Sequence, residues 1–152
     1  MDVDIKAVMG CTCLRMRRVT RRITQIYDHA LEPAGVTVNQ FGLLTHLYGA
    51  NLGGSHGLSI GVLAERLGAD PTTLNRTLKP LQKNGWVKDA IDPADGRVRI
   101  VQITDRGQRE VLKAMPFWRE AQTQVEKALG ANSTRALNDL LELSTAALPR
   151  LG

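Results

Sequence analysis

The stretch that most constrains this chain is residues 86–106, WVKDAIDPADGRVRIVQITDR. Two short apolar runs flank DPADGR, a tip built of turn formers, so the spacing predicts a β-hairpin from Trp86 to Ile103. Arg97 and Arg99 fall at or just after its apex. Immediately upstream lies a helix–turn–helix pattern whose second helix is polar and basic. A helix pair followed by a basic-tipped hairpin is the layout of a winged helix–turn–helix, an arrangement that suits a reader of duplex DNA.

The rest of the chain is read as helices. Residues 1–9 look like a loose leader. An amphipathic helix follows from about Cys11 to Leu31, with Val19, Ile23, Ile26, Tyr27, Ala30 and Leu31 at helical spacing. Arg15, Arg17, Arg18, Arg21 and Arg22 are spread around it, and Glu32-Pro33-Ala34-Gly35 ends it. Thr37 and Gln40 form a capping box for a second helix with Phe41, Leu44, Leu47 and Tyr48 on its apolar face. After a glycine-rich loop over 51–57, Ser59 caps a short helix carrying Ile60, Leu63, Ala64 and Leu67, and Gly68 suits its end. Asp70-Pro71 opens the next helix, with Leu74, Leu78 and Leu81 inward and Asn84-Gly85 as its stop. Pro80 removes one backbone donor there and predicts a bend or loosening near Lys79. Beyond the hairpin, Thr104 caps a long helix with Val111, Met115, Trp118, Val125 and Leu129 as its inner stripe, bent at Pro116. Asn132-Ser133 is expected to cap a last helix with Leu137, Leu140, Leu141, Ser144, Ala147 and Leu148 on one side.

The expected fold is therefore mainly α with a small β-hairpin wing. A winged helix–turn–helix reader occupies residues 36–103, and residues 1–35 and 104–152 form a helical dimerisation lobe. The outer helices carry broad apolar faces with no third layer of chain to cover them, and a symmetric homodimer is the simplest cover. Composition agrees: 43% of the 152 residues are hydrophobic but only 4% aromatic, an aliphatic balance that suits a helical core. The formal net charge of +5 fits an anionic partner. No apolar run approaches the roughly 20 residues of a membrane span and no secretory signal is visible. No membrane partner is therefore expected. Two cysteines make no disulfide framework, so the cytoplasm is the default compartment.

The helix opened by Asp70 carries the specific chemistry. With its leucines inward, Thr72, Thr73, Asn75, Arg76 and Lys79 face out. Arg can fork onto guanine, Asn can pair with adenine, and a Thr methyl can meet thymine. An ordinary solvated face mixes both signs of charge, whereas Pro71 to Gly85 contains no acidic residue. On the wing, Arg97 suits a narrow minor groove, with Asp95 holding its guanidinium, and Arg99 follows.

On these residues the chain resembles the MarR family of bacterial transcriptional regulators. The matching pieces are TVNQFGLLTHL (37–47), LSIGVLAERLGADPTTLNRTLKPLQKNGWV (58–87), DPADGRVRIVQIT (92–104) and TDRGQ (104–108). The resemblance implies an obligate homodimer that binds a pseudo-palindromic operator in double-stranded DNA. It implies repression relieved by a small ligand or by oxidation. By the family pattern Asp95-x-Arg97 is the wing clamp and the helix opened by Asp70-Pro71 enters the major groove.

Two switches stand side by side. Family effectors are often aromatic carboxylates or phenols held between dimer lobe and reader. Arg15 and Arg18 are candidates for a carboxylate, His46 for a hydrogen bond, and Tyr48 and Trp118 for stacking, although Trp118 on an apolar stripe also reads as plain core. Cys11 and Cys13 offer a redox alternative. Residues two apart on a helix point in different directions, so a bridge between them would distort it, whereas a bridge across a dimer stays open. A winged-helix protein-interaction module is a further reading, opposed by the lack of aromatics on the basic face. No paired carboxylates, phosphate loop, metal-spaced cluster or nucleophile elbow is present, so no catalytic residue, metal or cofactor is expected.

Overall fold

Thr37, Ser59, Asp70 and Thr104 each accept, through a side-chain oxygen, a hydrogen bond from the backbone N–H three residues on, and a helix starts at each. The computed structural model describes residues 4–149. The order is α1 (Ile5–Met9), α2 (Thr12–Leu31), a 3₁₀ turn (Glu32–Ala34), α3 (Val38–Leu52), β1 (Leu58–Ser59), α4 (Ile60–Leu67), α5 (Pro71–Lys83), β2 (Val87–Ile91), β3 (Arg99–Ile103), α6 (Asp105–Leu129) and α7 (Ala131–Ala147). This is the mainly helical winged helix–turn–helix that the sequence predicts.

The capping box at Thr37 is complete, with the Thr37 N–H donating to Gln40 Oε1 at 3.0 Å and the Gln40 N–H to Thr37 Oγ1 at 3.2 Å. Gly68 ends α4 in the left-handed region at φ 59°. Helix α5 closes on Asn84-Gly85: the Gly85 N–H reaches the Gln82 carbonyl and the Trp86 N–H the Leu81 carbonyl, both at 2.9 Å. Pro80 does not loosen the helix near Lys79, and helical residues run on to Lys83. Its missing donor affects one carbonyl, and the Asn84 N–H bonds the Pro80 carbonyl at 3.0 Å.

Four expectations are corrected. The leader is not loose throughout, because Asp4 accepts from the Ala7 N–H and caps α1; residues 1–3 lie outside the described residues. Cys11 is not inside the long helix but forms its extended N-cap. Asn132-Ser133 is not the cap of α7. Gly130 at φ 83° breaks the chain between α6 and α7, and both residues fall within the first helical turn. Leu129, at the end of α6, is exposed rather than inward.

The hairpin pairs Val87 with Ile103 and Ile91 with Arg99. The two-residue strand β1, too short to show a period, adds antiparallel to β3, giving the order β1-β3-β2. The core gathers on the reader: Leu43, Leu44 and Leu47 of α3, Leu63 of α4, Leu74 and Leu81 of α5 and Val101 of β3 are fully buried. Leu43 extends the burial of α3 beyond the single face expected.

The reader packs on the long helix through α3 and is pinned to its first turn at Thr104. The Thr104 hydroxyl faces the Gly85 carbonyl at 2.7 Å and the Trp86 carbonyl at 3.1 Å, and it accepts the Gly107 N–H at 3.1 Å. Gly107 packs directly on the Trp86 carbonyl, where a Cβ has no room. Helix α2 lies along α6, where the Tyr27 hydroxyl donates to Gln122. Burial, then the Glu126 charge, pushes that phenol above its ordinary value.

Candidate nucleic-acid interface

Amphipathicity positions the face of α5. Leu74, Leu78 and Leu81 are buried, which turns Thr72, Thr73, Asn75, Arg76 and Lys79 to solvent. All five expected side chains thus share one exposed surface. Asp70 belongs to the helix start instead of to that surface's cations. Its Oδ2 accepts the Thr73 hydroxyl at 2.6 Å and its Oδ1 the Thr73 N–H at 2.9 Å. The Thr73 hydroxyl, then its N–H, hold the Asp70 carboxyl below the ordinary carboxylate range. The same hydrogen bond commits the Thr73 hydroxyl proton.

The wing tip is organised by its two aspartates. The Ala94 N–H donates to Asp92 Oδ1 at 2.9 Å and the Arg97 N–H to Asp95 Oδ1 at 3.0 Å. The Arg97 guanidinium sits 3.7 Å from the same oxygen with its side chain 95% exposed. A pair so open to water contributes at most about 1 kcal/mol, so Asp95 acts chiefly on the backbone of the tip and Arg97 stays available. Arg99 turns the other way. With Asn75, Lys79, Gln82 and Asp89 it lines a groove of about 420 Å³ between α5 and the wing.

Gln82 and Asp89 join the expected residues in this groove. The Gln82 Nε2 donates to Asp89 Oδ1 at 3.1 Å, joining helix to strand. Neither residue type signals this alone; it follows from how the strand docks on the helix.

The proposed effector residues are not brought together. Arg15 lines a small cleft of about 300 Å³ between α2 and α7 with Met16, Val19, Ile23, Leu137 and Leu141. Its Nε donates to the Gly10 carbonyl at 2.6 Å. Arg18 is exposed on the same helix and lines no part of that cleft. His46 lines a separate open cleft with Thr45, Ser55 and Arg66, its Nδ1 2.7 Å from the Gly42 carbonyl. Tyr48 and Trp118 are half-buried against the core. Cys11 is half-buried and Cys13 exposed, both as free thiols. Cys11 is the extended N-cap and Cys13 the second residue of α2, so the two do not both lie within the helix. Among the described residues, no cluster of three or more His, Cys, Asp or Glu could hold a metal ion, and no helix is long and apolar enough to cross a membrane.

A model of the MarR family matches residues 34–98. Among solved structures, the M. tuberculosis transcriptional regulator MosR in complex with DNA is 33% identical, with a TM-score of 0.75 over 91% of this chain and 96% of that one. A mutant E. coli MarR complexed with operator DNA has a TM-score of 0.78 at 22% identity, over 97% of this chain and all of that one. The Streptomyces coelicolor regulator PcaV, in complex with its natural ligand, has a TM-score of 0.76 at 21% identity, over 97% and 98%. At these last two identities the likeness is one of fold. The Bacillus subtilis HTH-type regulators YdgJ and YwaE are 26% and 27% identical over 107 and 79 residues, 70% and 52% of this chain. Those stretches span only 62% and 46% of the two curated relatives' own lengths.

Proposed function

The chain belongs to the MarR family of winged helix–turn–helix transcriptional regulators, and on that premise we propose that it represses transcription as a homodimer on a pseudo-palindromic operator. The observation that carries this is the exposed, acid-free face of α5 standing beside a wing tipped with arginine. In this reading residues 36–103 are the reader, and residues 1–35 and 104–152 form the dimer lobe. The two copies of α5 sit roughly 34 Å apart in successive major grooves. Thr72, Asn75 and Arg76 read base edges, Lys79 and Arg99 meet phosphates, and Arg97 enters the minor groove. The Thr73 methyl adds an apolar contact, while Asp70 and Asp95 hold the two elements in shape. MosR and MarR, both solved on DNA, support the docking mode.

The test is a binding titration of a duplex selected by this protein from a randomised pool, beside a scrambled duplex, across a salt series. Affinity for the selected duplex is expected to exceed that for the scrambled one by 10³-fold or more, on the order of other specific readers. An Arg76→Ala, Arg97→Ala double variant should lose most of that preference. Equal affinity for both duplexes would sink the reading.

Release by a small ligand is the second half of the proposal. A ligand acts by favouring one spacing of the two readers. The cleft at Arg15 sets one cation against an apolar wall, which fits a carboxylate with an apolar or aromatic body. Arg18, exposed on the same helix, is a further candidate contact, whereas His46, Tyr48 and Trp118 stand apart from this cleft, and PcaV, solved with its natural ligand, supports the principle. A panel of aromatic acids that leaves the selected duplex bound in every case would count against it.

A redox reading is favoured by one observation, the two free thiols at the joint between α1 and α2. A peroxide would take two electrons and both thiol protons, leaving a Cys11–Cys13 disulfide, water and the reduced alcohol or a second water. Mass spectrometry of the peroxide-treated protein should show a loss of two hydrogens that Cys11→Ser abolishes, together with DNA release.

A further inference from the structure

We propose that Asp89 is a positioning residue that, through Gln82, ties the wing to the last turn of α5 and sets the angle between the two DNA-contacting elements. This rests on the reading of α5 and the wing given under Proposed function.

Asp89 lies mid-way along β2, its Cα paired with Val101, on the strand face shared by Val87 and Ile91. Val87 at the root is buried, so this face begins in the core and runs outward along the groove beside α5. There the Gln82 amide donates to Asp89 Oδ1 at 3.1 Å. Among the described residues this is the one side-chain hydrogen bond that joins α5 to the wing. Beyond Asp89 the strand runs two residues to Ile91, and the turn closed by the Asp92 N–H on the Val98 carbonyl carries Arg97 farther out. A change in angle at the tie therefore moves Arg97 more than it moves the root.

The charge of Asp89 makes the choice of partner informative. A carboxylate on a surface that meets phosphates opposes binding. Lys79 and Arg99 line the same groove and are the obvious cations to neutralise it, yet no ion pair joins Asp89 to either. It is held by a neutral amide, which keeps it in place and leaves both cations open to DNA. A residue kept for its charge would gain from the opposite arrangement.

The experiment measures binding of the selected and scrambled duplexes by Gln82→Ala, Asp89→Ala, the double variant and Asp89→Asn. All positions are exposed, and circular dichroism with a urea midpoint checks the fold. If Asp89 positions the wing, each alanine variant loses about 3–10-fold in the ratio of selected to scrambled affinity, the scale of one hydrogen bond. The double variant falls no further than either single one, and Asp89→Asn keeps the ratio within twofold, because its amide oxygen still accepts from Gln82. Unchanged ratios in the alanine variants would overturn the inference. So would equal shifts in Asp89→Ala and Asp89→Asn, which would reduce the residue to its charge. A wild-type protein that selects no duplex would overturn the DNA-reading premise itself, a result distinct from either.

Discussion

Helices α5 and α7 carry the same residue to opposite ends. Both are leucine-bearing, amphipathic and over ten residues long. Leu74, Leu78 and Leu81 of α5 are at most 2% exposed, whereas Leu140 and Leu143 of α7 are 59% and 64% exposed. The difference lies in the neighbours. α5 is enclosed by α3, α4 and the wing; α7 meets only α6 substantially, and its one buried residue is Thr134. Spacing alone says which side of a helix is apolar. Whether that side is finished within one chain depends on how many elements the topology delivers to it.

The largest test of this contrast pairs Leu74→Ala with Leu140→Ala. The first should cost about 2–5 kcal/mol of unfolding free energy in urea, the range for a truncated core leucine. The second should change stability by less than about 0.5 kcal/mol in dilute monomer while weakening self-association in sedimentation. Equal losses in dilute protein would mean that α7 is covered within the chain. Gly107→Ala comes next: its Cβ has no room against the Trp86 carbonyl, and overpacking there should cost about 1–3 kcal/mol in the same measurement. Arg76 on α5 and Arg135 on α7 are both exposed cations. Arg76→Ala should weaken the selected duplex by about 1–3 kcal/mol, and Arg135→Ala should leave it unchanged. The smallest effect concerns capping, which α5 has and α7 lacks. The Asp70 carboxyl is held below its ordinary 3.8, so its contribution is present above that pH and is lost as pH falls through the lowered value. The thermal midpoint of the wild type should exceed that of Asp70→Ala near neutrality, and the gap should close as pH drops below 3.8.

Local rules were legible wherever a single residue type has one dominant physical use. Thr37, Ser59, Asp70 and Thr104 announce helix starts because their oxygens sit one bond from an orphan N–H. Asn84-Gly85 and DPADGR announce turns for similar reasons. Where two residue types compete, the pattern misleads. Asn132-Ser133 looked like a cap, but Gly130 reaches a backbone region closed to residues with side chains and breaks the chain two residues sooner. Asp4 gives no signal in the sequence because α1 is only five residues long and shows no periodicity. β1 is illegible in the sequence because two residues cannot show alternation. On the proposed interface, the outward face of α5 followed from its leucines. Arg99 facing the groove and the Gln82–Asp89 bond did not follow, since both depend on the docking of strand against helix. The effector candidates share a suitable chemistry but no common place, and Arg15 and His46 line separate clefts.

The Thr104 junction has a mechanical consequence. One hydroxyl grips the carbonyls at the end of α5 and the start of the wing while anchoring the first turn of α6, a helix of 25 residues and therefore about 37 Å long. Such a crank passes motion on instead of absorbing it. Val111 and Ala114 of α6 are also set in the reader's core, so tilting its far end, beside α7, by a few degrees carries that core and both gripped elements along, and an event among the outer helices reaches the groove-facing side as a change of aim.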